Sequence, residues 1–293
     1  MKRIGVVGIP GGWSSERLAT AVAERTGFRC LIDMERVGLD LSEGRLVYED
    51  LELNGLDAVI VKKIAPSYSP SALDRMEILR FLELKGMPVF SKASSIMRLI
   101  DRLSCTLELR LGNIPMPATV ITEDVDEAMV AVEQFGRAVF KPLFSSKARG
   151  MTVIEPGPEL REQVRDFKSE GNPVMYIQQM VTHPGQDLGV SFLGGEYLAT
   201  YARQGSGRSW DTTTRTGGRY VPVTPAKEII DLAHKAQALF DMSFTCVDVV
   251  ETGDGPMIYE VSAFGGFRGL LEANGLDAAK LYADHVLEAV SHG

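Results

Sequence analysis

Apolar, largely β-branched runs at residues 4–9, 30–32, 58–61 and 89–90 alternate with helical patterns at 17–24 and 71–85. Strand and helix taking turns in this way predicts a parallel sheet with helices on its faces, occupying residues 1–91. From residue 91 a helix-rich stretch leads to a strand near 119–121, a helix over 124–134 and a strand at 138–141, the pattern of a small α+β lobe. After a strand at 175–179 the pattern becomes mostly antiparallel. Strands at 188–193 and 197–202 flank a Gly194-Gly195 turn, a helix covers 226–239, two more strands follow, and an amphipathic helix spans 277–290. Three units are expected: 1–91, 92–181 and 182–293. The expected class is therefore α/β followed by α+β.

Composition narrows the partners. With 293 residues, 45% hydrophobic and 24% charged, the chain is long enough to bury a large core and carries no low-complexity tract. A net charge of -8 argues against nucleic acid or an anionic membrane as the main partner and favours small molecules or peptides. Three widely spaced cysteines, Cys30, Cys105 and Cys246, form no CxxC and suggest a reducing, cytoplasmic setting. No apolar run is long enough for a membrane span, and the first thirteen residues do not read as an export signal. The loop Pro10 to Ser15 follows the first strand, where open α/β sheets place ligands, so it either cradles an anion or is a plain strand-to-helix turn. Its sequence lacks GxGxxG, which excludes a nicotinamide fingerprint.

The most informative segment is FTCVDVVETGDGPMIYEVS, residues 244–262. It reads as two strands joined by a Gly- and Asp-rich turn. A turn centred on Asp254 sets Asp248 opposite Glu260, whereas a two-residue turn shifts the register by one and separates them. Two opposed carboxylates repel, so the pairing needs a cation between them, and Mg²⁺ (or Mn²⁺) held by one or two carboxylates and nucleotide phosphates meets that need. In AVFKPLFSSKARGM, residues 138–151, Lys141 ends an apolar strand before a basic loop of small residues. The charge of Lys141 and the hydroxyls of Ser145 and Ser146 could meet phosphates there; a lysine at a strand end is also a common solvated residue. The run MYIQQMV, residues 175–181, could offer backbone groups to an adenine ring or be a buried strand. A fixed guanidinium such as Arg203 suits the stabilisation of a developing oxyanion, and Arg215 or Arg268 could do the same or be an exposed surface side chain.

Taken in order, these pieces resemble the ATP-grasp superfamily, in particular RimK-like carboxylate–amine (glutamate) ligases. The resemblance rests on LRFLELKGMPVFSKASSIMRLIDRLS at 79–104, GNIPMPATVI at 112–121, FKPL at 140–143, IQQMV at 177–181, PGQDLGVSFLGGEYLATYAR at 184–203, TGG at 216–218, CVDVVE at 246–251 and YEVS at 259–262. It implies an ATP-grasp fold behind an N-terminal parallel α/β (pre-ATP-grasp) domain, with ATP between two α+β lobes. Arg102 and Lys141 would contact phosphate, Gln178, Gln179, Met180 and Val181 would form the adenine-side hinge, and Asp187 would stand near nucleotide or substrate. Asp248, Glu260 and Ser262 would hold the metal, and Arg203 would stand near the reacting acyl phosphate. The activity implied joins a carboxylate to an amine, small molecules or peptides, and the protein could be a homo-oligomer.

Several positions depart from the family pattern. Ser262 replaces an asparagine, Arg102 a lysine, Gly189 an arginine and Thr213 an asparagine, while the phosphate loop SSKARG has a single glycine. A glutamate pocket therefore does not carry over. The runs KARGM and VSAFGGFRGL mark a distinct subfamily, similar to the ATP-grasp protein of the gene cluster called the GAK system. The alternatives are a phosphotransferase of the same fold and a non-catalytic ATP-binding regulator. His183, His234, His285 and His292 lack metal spacing, and no GxSxG or Walker loop occurs. Trp13 and Trp210 read as half-buried loop residues.

Overall fold

The computed structural model describes residues 1–146, 148–182, 184–207, 212 and 217–292. Lys147, His183, Trp210, Thr213, Arg215 and Thr216, all drawn into the sequence reading, lie outside the described residues.

The chain opens with β1 (Ile4–Val7), α1 (Trp13–Thr26) and β2 (Leu31–Ile32), followed by β3 (Val37–Asp40), β4 (Arg45–Tyr48) and β5 (Leu51–Glu52). Next come β6 (Ala58–Val61), α2 (Pro70–Leu84) and β7 (Val89–Phe90). Strands β2-β1-β6-β7 form the expected parallel sheet. Both its faces are covered, so its strands are continuous apolar runs rather than alternating ones. Ile4, Val6, Ala58 and Ile60 enter one core with Leu18 and Val22 of α1, while Val7, Val59 and Val61 enter another with Leu79 and Leu82 of α2. The antiparallel meander β3-β4-β5, inserted between β2 and β6, was not anticipated.

Helices α3 (Ala93–Ile100) and α4 (Arg102–Leu111) lead into β8 (Thr119–Thr122), α5 (Val125–Phe135), β9 (Ala138–Lys141), β10 (Thr152–Ile154), α6 (Leu160–Ser169) and β11 (Met175–Gln179). The four strands make an antiparallel sheet of order β10-β9-β11-β8. Its core joins Phe140, Ile154 and Ile177 to Val132 of α5 and Val164 and Phe167 of α6.

The remainder is β12 (Gln186–Leu193), β13 (Glu196–Gln204), β14 (Arg219–Pro222), α7 (Lys227–Ala238), β15 (Phe244–Thr252), β16 (Gly255–Val261), α8 (Phe267–Asn274) and α9 (Ala278–His292). The sheet is antiparallel, ordered β14-β13-β12-β15-β16. Alternation divides its residues: Leu188, Val190, Phe192, Val247 and Val249 pack with Ile229, Ala233 and Ala236 of α7. The opposite face, carrying Asp187, Gly189, Asp248 and Arg203, is left for other work. Part of it is roofed by α8, whose Phe267 and Leu270 share a core with Ala199, Tyr201 and Tyr282 of α9.

Candidate functional site

Strand register assembles the site. Asp187 pairs with Arg203, Gly189 pairs with Tyr201 on one side and Asp248 on the other, and Asp248 pairs with Glu260. Opposed residues share a face, so one row runs Tyr201, Gly189, Asp248, Glu260 across four strands. The two acids thus face each other as expected, but by a different route. The hairpin turn holds two residues, with Thr252 opposite Gly255, and this register by itself would set Tyr259 opposite Asp248. A bulge between Asp248 and Val249 takes up the extra residue and restores Glu260 to that place.

The cations that relieve this pairing come from the protein. Arg203 donates from Nε to Asp187 Oδ2 at 2.9 Å, and its Nη2 lies 3.0 Å from Asp248 Oδ1. The other Asp187 oxygen accepts from the Thr212 hydroxyl. Arg102, 8% exposed, donates from Nη1 to Glu260 Oε2 at 2.9 Å, from Nε to the Pro142 carbonyl at 3.2 Å and from Nη2 to Ser145 Oγ at 3.3 Å. One guanidinium therefore ties the phosphate-loop candidate, residues 142–145, to the hairpin acid. Burial, against the pull of Arg203, holds the Asp248 carboxyl above the usual carboxylate range, and Glu260 adds to the shift.

Lys141, 7% exposed, donates to Gln178 Oε1 at 2.5 Å and lies 5.2 Å from the Tyr259 ring centre. Burial, reinforced by Arg102, lowers its ammonium to about 7, while Glu260 and Asp248 act in the opposite direction. Gln178, expected at an adenine-side hinge, turns its amide inward: its NH₂ reaches Thr119 Oγ1 at 3.1 Å and the Tyr176 hydroxyl at 3.2 Å. Its backbone is held by pairing with both β8 and β9. The Gln179 and Met180 amides donate to the carbonyls of Ala118 and Arg137, at 2.8 and 2.9 Å. Val181, immediately beyond, is the first hinge residue past these bonds. Ser146 accepts from the Arg149 amide at 3.4 Å.

Asp248 and Glu260 supply hard oxygen donors suited to Mg²⁺, which takes one or two carboxylates and completes its shell with water and phosphate. Ser262 follows Glu260 by two residues, its backbone fixed by Cys246 and Thr245. Among the described residues no group of three or more His, Cys, Asp or Glu could hold a metal unaided. The donor set thus fits an ion that arrives with phosphate oxygens.

Other candidates fall away from this centre. The Pro10 to Ser15 loop satisfies itself, with the Gly11 amide on Glu16 Oε1 at 2.8 Å and the Ile9 amide on Ser15 Oγ at 3.1 Å, and so reads as a strand-to-helix turn. Trp13 opens α1 rather than lying in a loop, its ring flanked by Arg17 and Arg268. Arg268 also pairs loosely with Glu272 at 3.8 Å. The cysteines are buried and free, and burial pushes the Cys105 and Cys246 thiols up to about 12. Tyr201 and Tyr259 were missed. For Tyr201 the alternation along β13, two positions before Arg203, was the available signal; Tyr259 depends on the bulge, which leaves no pattern in sequence.

Comparison with known proteins gives a consistent picture. The model of the RimK-like ATP-grasp domain matches residues 97–286. A tetrahydromethanopterin:alpha-L-glutamate ligase of Methanosarcina acetivorans is 25% identical, covering 98% of this chain and 99% of its own length. The crystal structure of a RimK domain ATP-grasp protein from Sphaerobacter thermophilus superposes with a TM-score of 0.75 at 21% identity, covering 97% of this chain and 98% of that one. The ATP-grasp ligase PsnB, complexed with a phosphomimetic variant of a minimal precursor, Mg and ADP, superposes with a TM-score of 0.76 at 16% identity over 99% of both chains.

Proposed function

The chain belongs to the RimK-like ATP-grasp family, and from that premise we infer that it is an ATP-dependent ligase joining a carboxylate to an amine through an acyl phosphate. The observation that carries this reading is the acid pair Asp248–Glu260 beside Arg203, Arg102 and the buried Lys141. Phosphoryl transfer is chiefly positioning and charge stabilisation, which is what these side chains offer.

In this reading Asp248 and Glu260, with Ser262 alongside, hold Mg²⁺ or Mn²⁺, which supplies charge neutralisation to the triphosphate. Lys141 and Arg102 take the phosphate oxygens, and Ser145 and Ser146 close over them. Val181 and its neighbours receive the adenine, while Gln178 fixes the direction of the Lys141 ammonium. The substrate carboxylate attacks the γ-phosphorus, releasing ADP. The amine then attacks the activated carbonyl, phosphate leaves, and Arg203 stabilises the tetrahedral oxyanion. Arg203 is oriented for this by Asp187, itself held by Thr212. Water must be kept from the acyl phosphate, a task suited to the loop at 144–150. Partners are small-molecule or peptide acids and amines. Among the described residues no helix is long and apolar enough to cross a membrane, and a cytoplasmic enzyme accords with the buried, free thiols.

The test is a screen of carboxylates with ATP, Mg²⁺ and hydroxylamine. A ligase yields ADP and phosphate with a hydroxamate, since hydroxylamine captures an acyl phosphate. A stable phosphorylated product would point to a phosphotransferase. Tight ATP binding without acceptor-dependent ADP release would point to a regulator.

A further inference from the structure

Lysine carries its charge on a flexible four-carbon stem, so Lys141 can serve a phosphate only where the direction of its ammonium is fixed. Two restraints come from its own sheet. Tyr176 is its cross-strand neighbour on β11, and Gln178, two residues along, lies on the same face. Gln178 Oε1 accepts from the ammonium at 2.5 Å. The Tyr176 hydroxyl meets Thr106 Oγ1 at 2.9 Å and accepts from Gln178 Nε2 at 3.2 Å. The Tyr176 ring is thereby held, its centre 6.0 Å from Lys141 Nζ and 5.9 Å from Arg102 Cζ. Neither restraint sets the ammonium relative to Asp248 and Glu260, which belong to another sheet.

Tyr259 supplies that reference. It stands on β16 beside Glu260, and its ring centre is 5.2 Å from Lys141 Nζ. Adjacent residues of a regular strand point to opposite faces, yet Glu260 reaches Arg102 and Tyr259 reaches Lys141, two cations that share the Tyr176 ring. The bulge between β15 and β16 accounts for this, because the extra residue lets two neighbours serve one side. A cation within about 6 Å of an aromatic ring centre is attracted to its face. Other forces on the ammonium are less selective: Arg102 repels it, while Glu260 and Asp248 draw it towards the carboxylates. A lysine that followed that pull would crowd the place assigned to the metal. We propose that Tyr259 is a positioning residue, whose ring acts from the hairpin to fix the Lys141 ammonium relative to Asp248 and Glu260. Its consequence for nucleotide binding rests on the ligase reading, whereas the pairing itself exists without nucleotide.

The full chain, carrying isotopically labelled lysine, is first observed by nuclear magnetic resonance without nucleotide, the Lys141 ε-methylene signal being identified by its absence from Lys141→Met. Ring currents should place that signal upfield of the exposed lysines. Tyr259→Leu should move it downfield, and Tyr259→Phe, which keeps the ring, should hold it near its original position. Calorimetry with Mg–ATP then reads the consequence. Tyr259→Leu should weaken binding about three- to tenfold, and Tyr259→Phe should recover most of that loss. In the Lys141→Met background Tyr259→Leu should cost little, since the partner of the ring is gone. Thermal midpoints check folding, and Tyr259→Met takes the place of Tyr259→Leu if the latter unfolds. A Lys141 signal without an upfield shift, a signal indifferent to loss of the ring, or an affinity unchanged by that loss would overturn the proposal. So would a loss of affinity that persists in full without the lysine, because the ring would then act on nucleotide or fold rather than through Lys141. A parent protein that shows the shifted signal but binds no Mg–ATP would instead remove the ligase reading and leave the Lys141–Tyr259 pairing standing.

Discussion

Gly189 and Gly269 both lie against Tyr201: a Cβ built at either would stand 2.5 Å from the ring's Cζ. The ring therefore occupies the space a side chain at 189 would need, which accounts physically for glycine in the row of acids. Gly189→Ala should destabilise the protein by about 1–3 kcal/mol through overpacking, read from urea unfolding midpoints. Asp248→Asn and Glu260→Gln should abolish turnover with the circular dichroism spectrum unchanged; full activity in either would remove it from the metal set. Lys62 gives a pH signature. It is 4% exposed, donates to the Gly265 carbonyl and lies 3.8 Å from the Phe267 ring centre, and burial, then Lys63, lowers its ammonium to about 7 from 10.5. Between those values the unfolded chain binds the proton that the folded chain has released, so stability rises with pH across that interval. Lys141 contributes with the same sign. Unfolding midpoints from pH 7 to 10 should thus climb less steeply in Lys62→Met than in the parent protein.

Legibility in sequence differed from element to element. The parallel strands were readable because burial on both faces leaves uninterrupted apolar runs, and β6 falls at the residues expected of it. The meander β3-β4-β5 was not, since its strands are two to four residues long and only partly buried. Helix α8 was hidden by Gly266 at its N-cap and Gly269 within it. The facing acids were foreseen from a turn centred on Asp254, yet they depend on a bulge that composition does not announce. Nor could sequence place Arg102 on Glu260, a contact spanning 158 residues. Its consequence belongs to the loop it braces. Arg102→Met should loosen residues 142–145, accelerate tryptic cleavage after Arg149 and weaken Mg–ATP binding by roughly ten- to a hundredfold, less than truncating a fully buried charge pair would cost because Glu260 is part-exposed. An unaltered cleavage rate would show that the loop is braced elsewhere.

At the scale of the whole molecule, a chain of net charge -8 gathers Arg102, Lys141 and Arg203 around the acid pair, and on the proposed reading these cations would meet the triphosphate. Nucleotide with metal should therefore stabilise the fold strongly: at a hundred times its Kd, Mg–ADP contributes about 2.7 kcal/mol, or roughly 5 °C in thermal midpoint. Chelation should stop turnover, and either Mg²⁺ or Mn²⁺ should restore it. The two arginines also determine what happens between turnovers. A stray divalent cation would have to evict Arg203 from Asp248 and Arg102 from Glu260, so the idle enzyme should be a poor scavenger of ions. On the proposed reading metal would enter as the companion of a nucleotide whose phosphates give the displaced arginines somewhere else to go. Mg²⁺ added alone should barely move the melting curve, and the resting protein would sit among cellular metals without collecting them.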